Sequence, residues 1–216
     1  MTATLFVLTA LAAVGDWVVV GQRLFRLEYL LKPLTMLLLL AAAVSADLPT
    51  AKGWVVGALA FALIGDLALM VSSDEPGRID APFLAGVAAF LAGHVCYLVA
   101  FARTGLHGWA VLAGVLIVGG TAALALPRIL LRVRRRYGDE AMAVVGTYAA
   151  AVGATAVLAI GTSIVATAIG GALFLFSDTA LAWDRFVKRL PHGEGVVIVT
   201  YHLAQVLIVI GLVTRT

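Results

Sequence analysis

Apolar runs of helical length follow one another along almost the whole chain, separated only by short polar stretches. Met36–Val44 and Val206–Val213 are continuous examples. A run of this kind has no polar face to turn toward water, so it needs an apolar solvent. A bilayer supplies one, and about 20 residues of helix cross its hydrocarbon. Composition agrees. Of 216 residues, 62% are hydrophobic and only 12% are charged, whereas about a quarter are charged in ordinary soluble domains. Transmembrane strands would alternate apolar and polar residues with a period of two. These runs do not alternate, and in lipid every backbone polar group must be satisfied internally, so helices are expected.

The expected fold is an all-α integral membrane protein, a bundle of about eight transmembrane helices forming a single transmembrane domain over residues 1–216. Spans are placed at 2–21, 31–46, 53–72, 82–102, 108–126, 141–160, 163–183 and 194–214. The second is short and opens at Lys32-Pro33, with proline in the first turn, where its missing N–H costs little. If that span is re-entrant, the count falls to seven. The stretch from Ala141 to Trp183 is too long for one span and is expected to break at Gly161-Thr162-Ser163. Met1-Thr2-Ala3-Thr4-Leu5 lacks the basic segment of a signal peptide, so it reads as the start of the first span.

Charge sets orientation. Loops after the odd-numbered spans carry 12 Lys and Arg residues: Arg23, Arg26, Lys32, Arg78, Arg128, Arg132, Arg134, Arg135, Arg136, Arg185, Lys188 and Arg189. The other side has 3, namely Lys52, Arg103 and Arg215. The positive-inside rule then places both termini outside the cytoplasm of a multi-pass protein. High Ala, Val, Gly and Arg content with only three lysines points to a bacterial inner membrane. The net charge of +3 is explained by topology and implies no nucleic-acid partner. The Arg132–Arg136 cluster also suits anionic lipid head groups. The lone Cys96 lies in an apolar run and has no partner for an internal disulfide.

Function is carried by polar residues inside the spans. A charged Asp at the centre of a span costs about 2.5–3.5 kcal/mol on insertion scales, so such residues face the bundle interior and find partners. Asp66 and Asp178 lie about two-thirds along the third and seventh spans, at similar depth, with Asp16 nearer the interface. Their surroundings match: Leu63-Ile64-Gly65-Asp66-Leu67-Ala68-Leu69 against Leu175-Phe176-Ser177-Asp178-Thr179-Ala180-Leu181. Spans four and eight each add a His and a Tyr, which suggests two parallel four-helix repeats. Lys32 and Thr35 share a helix face, as do His94 and Tyr97, and Tyr201 and Gln205. His202 and Tyr148 complete the set. Each also has a plain reading: His94 as an interhelical hydrogen bond, Lys32 as a snorkelling cation, Tyr201 as packing. Two Asp and two His suit zinc, but they lie on four helices with no H-x-x-x-H spacing. No Walker A loop, G-x-S-x-G or C-x-x-C occurs, although Ser177 adjoins Asp178.

The ordered set L-K-P-L-T at 31–35, G-D-L-A-L-M at 65–70, F-x-x-G-H-x-x-Y at 90–97, S-D-x-x-L-A at 177–182 and Y-H-L-A-Q-x-L-I at 201–208 resembles the YhhN family, which includes lysoplasmalogenases. The resemblance implies an eight-helix bundle. It also implies hydrolysis of the vinyl ether bond of lysoplasmalogens to a fatty aldehyde and glycerophosphoethanolamine or glycerophosphocholine. The substrate would be a lysophospholipid, or a related ether lysolipid, drawn from the membrane. By motif, the family's two intramembrane aspartates correspond to Asp66 and Asp178, and its other polar positions to Lys32, His94, Tyr97, Tyr201 and Gln205.

Vinyl ether cleavage needs a proton on the β-carbon and water at the resulting oxocarbenium ion. That logic parallels glycoside hydrolysis, where one carboxyl acts as acid and a second activates water. Asp66 and Asp178 are expected to share these roles as a coupled pair. Lys32 would meet the phosphate, and Thr35, His94, Tyr97, Tyr148, Ser177, Tyr201, His202 and Gln205 would line the substrate site. No metal or organic cofactor is required. Rival readings are a lipid or small-solute transporter using the same groups as a relay, a metal-dependent lipid hydrolase, and a membrane protein without turnover.

Overall fold

The structure, a computed structural model, describes residues 1–73 and 79–215. Among these, the regular elements are seven helices: α1 (Thr2–Gly21), α2 (Phe25–Ser45), α3 (Lys52–Met70), α4 (Ala81–Thr104), α5 (Gly108–Gly161), α6 (Val165–Phe186) and α7 (Gly193–Thr214). All seven are long and apolar enough to cross a membrane.

α5 reconciles seven helices with eight crossings. Its 54 residues would measure about 81 Å if straight, far beyond the roughly 30 Å of hydrocarbon. It is not straight. Gly138 has φ 90° and ψ −178°, a conformation outside any helix, and only glycine adopts it readily. The chain reverses there, so arms 108–137 and 139–161 lie antiparallel. A Cβ built on Gly114 would sit 3.0 Å from the Val157 carbonyl oxygen, and one on Gly153 3.4 Å from Val118. His107 N–H donates to the Gly161 carbonyl at 2.8 Å and closes the far end.

Two sequence-based boundaries need correction. α2 starts at Phe25, not at 31, so Pro33 lies inside the helix and Lys32 lies in its second turn. The segment before Lys32 is rich in helix formers, and its tertiary contacts tolerate the one backbone bond that proline removes. At 21 residues, α2 spans about 31 Å and is no short re-entrant segment. The first arm of α5 runs to 137, beyond the expected 126, because Leu130–Arg136 continues a solvated helix past the apolar run. The break expected at 161–163 is present: α5 ends at Gly161, Ser163 has φ 59°, and α6 opens at Val165.

Consecutive helices pack on one another, and α7 returns to touch α1 and α2, which closes a ring. Its outer surface is apolar, with Leu11, Leu116, Leu124 and Val165 exposed, while Thr9, Asp16, Asp66, His94, Thr155 and Gln205 are buried inside. This inversion of a soluble protein's pattern is what lipid solvent selects. Without a strong hydrophobic drive between helices, close backbone approach holds the ring. At Gly170 a Cβ would lie 2.8 Å from the Ala204 carbonyl oxygen and 2.9 Å from the Ile208 nitrogen, so α6 and α7 are in backbone contact.

One end of the ring gathers the α1–α2 turn, the Gly138 bend and the α6–α7 loop. There Tyr29 O–H donates to the Met70 carbonyl at 2.7 Å, Tyr137 and Phe83 ring-pack on Phe186, and the Arg185 guanidinium lies 4.5 Å from the Phe83 ring centroid. The basic residues of the odd loops are at this end, except Arg78, which lies outside the described residues. Asp80 caps α4 by accepting from the Phe83 N–H at 3.0 Å and the Ser73 N–H at 2.7 Å. Those two bonds hold its carboxyl below the usual range. The stability it contributes is therefore present above the ordinary Asp value and is lost as pH falls through the lowered one.

Gly138→Ala tests the reversal. The position has open space around it, so the penalty is purely conformational, about 1–3 kcal/mol. Thermal unfolding in detergent should show that loss, whereas Gly120→Ala, inside the first arm, should not.

Candidate functional site

The interior of the ring brings two aspartates under the control of aromatic and imidazole donors. Asp66 lies four residues from the end of α3 and is 3% exposed. The Tyr201 hydroxyl of α7 donates to its Oδ2 at 2.8 Å. The neighbouring glycine makes this possible. A Cβ on Gly65 would fall 2.6 Å from the Phe90 ring, so its absence lets Phe90 press edge-on against Tyr201 at 5.9 Å.

Asp178 on α6 is held from two other helices. Tyr148 O–H on the second arm of α5 donates to its Oδ2 at 3.0 Å. His94 Nε2 on α4 reaches the same oxygen at 3.3 Å. The other imidazole nitrogen, Nδ1, lies 3.1 Å from Thr155 Oγ1. Thr155 also sits 2.9 Å from the Ala151 carbonyl, to which its hydroxyl donates. One hydroxyl proton serves one acceptor at a time. When it turns to Nδ1, that nitrogen accepts; when it turns to Ala151, Nδ1–H donates to the Thr155 oxygen instead. The rotation of the Thr155 hydroxyl is thus matched to the imidazole tautomer.

Phe174 joins the two systems. Its ring lies 4.8 Å from His94, 5.7 Å from Tyr201 and 6.4 Å from Tyr97. Tyr97 in turn donates to Gln205 Oε1. Among the sequence-predicted residues, Asp66, Asp178, His94, Tyr97, Tyr148, Tyr201 and Gln205 therefore surround one aromatic hub. The aspartates are linked through their partners and Phe174, and their hydrogen bonds run to other side chains rather than to each other. Lys32, half-buried on α2, lies within electrostatic range of both Asp16 and Asp66.

Three predicted residues hydrogen-bond outside this network. Ser177 donates to the Val197 carbonyl at 2.9 Å and ties α6 to α7. Thr35 donates to Leu31 of its own helix at 2.9 Å. His202 accepts on Nδ1 from Trp17 Nε1 at 3.3 Å, on the α1 side. Sequence reasoning missed Thr155, Phe174 and Trp17. Each is an unremarked residue in an apolar run, and only the tertiary arrangement gives it a partner. Asp16, expected nearer the interface than the other two aspartates, is buried within the ring at 0% exposure. Both Asp16 oxygens, His202 Nε2 and Gln205 Nε2 are buried without a hydrogen-bond partner among the described residues. Buried polar atoms rarely remain so, which marks this side of the interior as one suited to polar guests. Among the described residues, no group of three His, Cys, Asp or Glu side chains converges at metal-binding spacing.

Asp178 differs from Asp66 in access. Its side chain is 12% exposed and lines a cavity of about 360 Å³ between the two arms of α5 and α6.

The model of the YhhN family matches residues 27–212. A curated protein from Sus scrofa named lysoplasmalogenase TMEM86B is 38% identical over 155 residues, covering 70% of this chain and 60% of the relative. Its namesake from Homo sapiens is 32% identical over 159 residues, covering 72% and 61%. The match thus spans about three-fifths of the length of these relatives. No solved structure matches the chain.

Thr155→Val removes the hydrogen-bond partner of His94 Nδ1. An unsatisfied buried group costs about 1–3 kcal/mol, and thermal unfolding in detergent should register that loss. Combined with His94→Phe, the two changes should fall well short of additivity, because they remove the same interaction.

Proposed function

This chain belongs to the YhhN family, and on that premise we propose that it is a membrane-embedded hydrolase cleaving the vinyl ether bond of lysoplasmalogens or a related ether lysolipid. The observation that carries the reading is the pair of intramembrane aspartates, each hydrogen-bonded by donors from other helices around the single Phe174 hub. The relatives named lysoplasmalogenase support the reaction class.

The chemistry is an addition of water. One aspartic acid delivers its proton to the β-carbon of the vinyl ether, leaving an oxocarbenium ion at the α-carbon. The second, as carboxylate, stabilises that cation electrostatically and takes a proton from water as the oxygen bonds to the α-carbon. The hemiacetal then breaks its bond to the glycerol oxygen, which collects a proton, and the chain leaves as aldehyde. Asp66 and Asp178 share these two roles. Tyr201, Tyr148 and His94 fix the carboxyl orientations through the bonds described, and Thr155 sets the imidazole tautomer. Tyr97 and Gln205 border the polar side. Lys32 supplies the cation for the phosphate, with the unpartnered Asp16, His202 and Gln205 atoms available to water or to the head group. On the positive-inside rule, the end carrying the arginine clusters faces the cytoplasm and both termini face out. The head group then approaches from the cytoplasmic leaflet of a bacterial inner membrane.

Asp66→Asn and Asp178→Asn keep size and most hydrogen bonding but remove the exchangeable carboxyl proton. Purified in detergent, each should release aldehyde from a plasmenyl lysolipid about 10²–10⁴-fold more slowly than the parent, with an unchanged elution profile. Near-normal turnover in both variants would refute the mechanism, and an enzyme, unlike a transporter, should release aldehyde without any sealed vesicle.

A further inference from the structure

An ionisable group in a membrane span normally turns away from hydrocarbon, yet Asp178 lines a cavity whose other walls are almost entirely apolar. The cavity runs between the two arms of α5 and the face of α6, with a volume of about 360 Å³, within the range of small-molecule sites. Val118 and Ala122 line it from the first arm, Val152 and Ile160 from the second, and Ala172 from α6. Of the three other polar side chains in the lining, Thr121, Tyr148 and Thr179, two are already engaged. Tyr148 O–H is given to Asp178, and the Thr121 hydroxyl is returned to the backbone of its own helix. Asp178 is the only acidic side chain in the lining among the described residues.

The cavity also has a direction. Asp178 and its partner Tyr148 lie toward the Gly138 end, and from Tyr148 to Ile160 the lining extends twelve residues along the second arm. That is about 18 Å, slightly more than one leaflet's share of roughly 30 Å of hydrocarbon. Lys32 lies seven residues from the start of α2 and Asp178 eight from the end of α6, both counted from that same end of the ring. A molecule with its anionic part at Lys32 and its reactive bond at Asp178 would therefore have an apolar trough of one chain's length ahead of it.

We propose that this cleft receives the single hydrocarbon chain of the lysolipid, with the first chain carbons at Asp178 and the chain end toward Ile160. The inference rests on the reading of the protein as a lysolipid hydrolase and adds where the chain lies and what limits its length. The hairpin of α5 is then a functional element: reversal at Gly138 sets two antiparallel arms beside α6, and the crevice they form with it admits a chain laterally from the bilayer.

Ala172 tests this. It is exposed, lies six residues before Asp178 on α6, and takes no part in the polar network. A tryptophan there obstructs the trough about 9 Å beyond Asp178. In Ala172→Trp, kcat/KM for a long-chain plasmenyl lysolipid should fall about tenfold or more. A short-chain analogue that ends before residue 172 should be cleaved within about twofold of the parent rate, which also shows that the variant is folded. Ile117→Trp, at the end of the first-arm lining farthest from the Gly138 bend, should shift chain-length preference the same way. Equal loss for both chain lengths, or no change for either, in both variants would overturn the proposal. If the parent protein itself releases no aldehyde from any chain length, it is the hydrolase reading that fails. The cleft is then tested by binding of ester lysolipids, which have no vinyl ether. A long-chain affinity advantage in the parent that vanishes in Ala172→Trp supports the cleft, and its persistence overturns it.

Discussion

A carboxyl group placed in hydrocarbon has to be turned inward and met by donors, and the ring of helices is organised around two such groups. Asp66 and Asp178 come from helices whose remaining surfaces are almost wholly apolar, so each draws its partner from a different helix. Tyr201 crosses from α7 to Asp66. Tyr148 and His94 cross from α5 and α4 to Asp178. These contacts tie together the sequentially distant parts of the chain. Backbone-close packing at Gly170 holds α6, which carries Asp178, against α7, which carries Tyr201.

The partnering has a crossed form. With α5 counted as two crossings, Asp66 lies on the third span and takes its donor from the eighth. Asp178 lies on the seventh and takes His94 from the fourth. Each four-span half thus supplies an aspartate to the donor helix of the other. This is the exchange that a pseudo-twofold relation between two parallel halves would produce, and it matches the local similarity around the two aspartates. The first half alone would leave Asp66 without its Tyr201 donor, whereas the second half alone would keep Tyr148 on Asp178 and lose only His94.

Much of this was legible in the residues because lipid solvent simplifies the code. Continuous apolar runs admit one secondary structure, and a lone Asp within such a run has to be interior. That logic turns Asp66, Asp178, His94, Tyr97, Tyr148, Tyr201 and Gln205 toward the interior. It failed where the signal is conformational or relational. Proline at 33 reads as a start signal, but tertiary packing carries the helix through it. Arg132–Arg136 reads as a loop by charge, yet helix formers continue the arm to the Gly138 bend. Ser177 borders an aspartate in sequence and points the other way in space, because neighbours on a helix diverge by about 100°. Thr155 and Phe174 have no local signature at all, since their roles exist only relative to His94 and Tyr201.

The cavity beside Asp178 is walled by the two arms of α5 and by α6, while the unpartnered polar atoms of Asp16, His202 and Gln205 belong to α1 and α7. Under the proposed hydrolysis, the scissile bond straddles these two environments, and its fragments prefer different phases. The aldehyde is released already solvated by hydrocarbon and diffuses off into the leaflet, whereas the glycerophospho alcohol belongs to water. Physical partition then separates the products as they form, so the reverse encounter is suppressed without a gate, a lid or any expenditure of chemical energy.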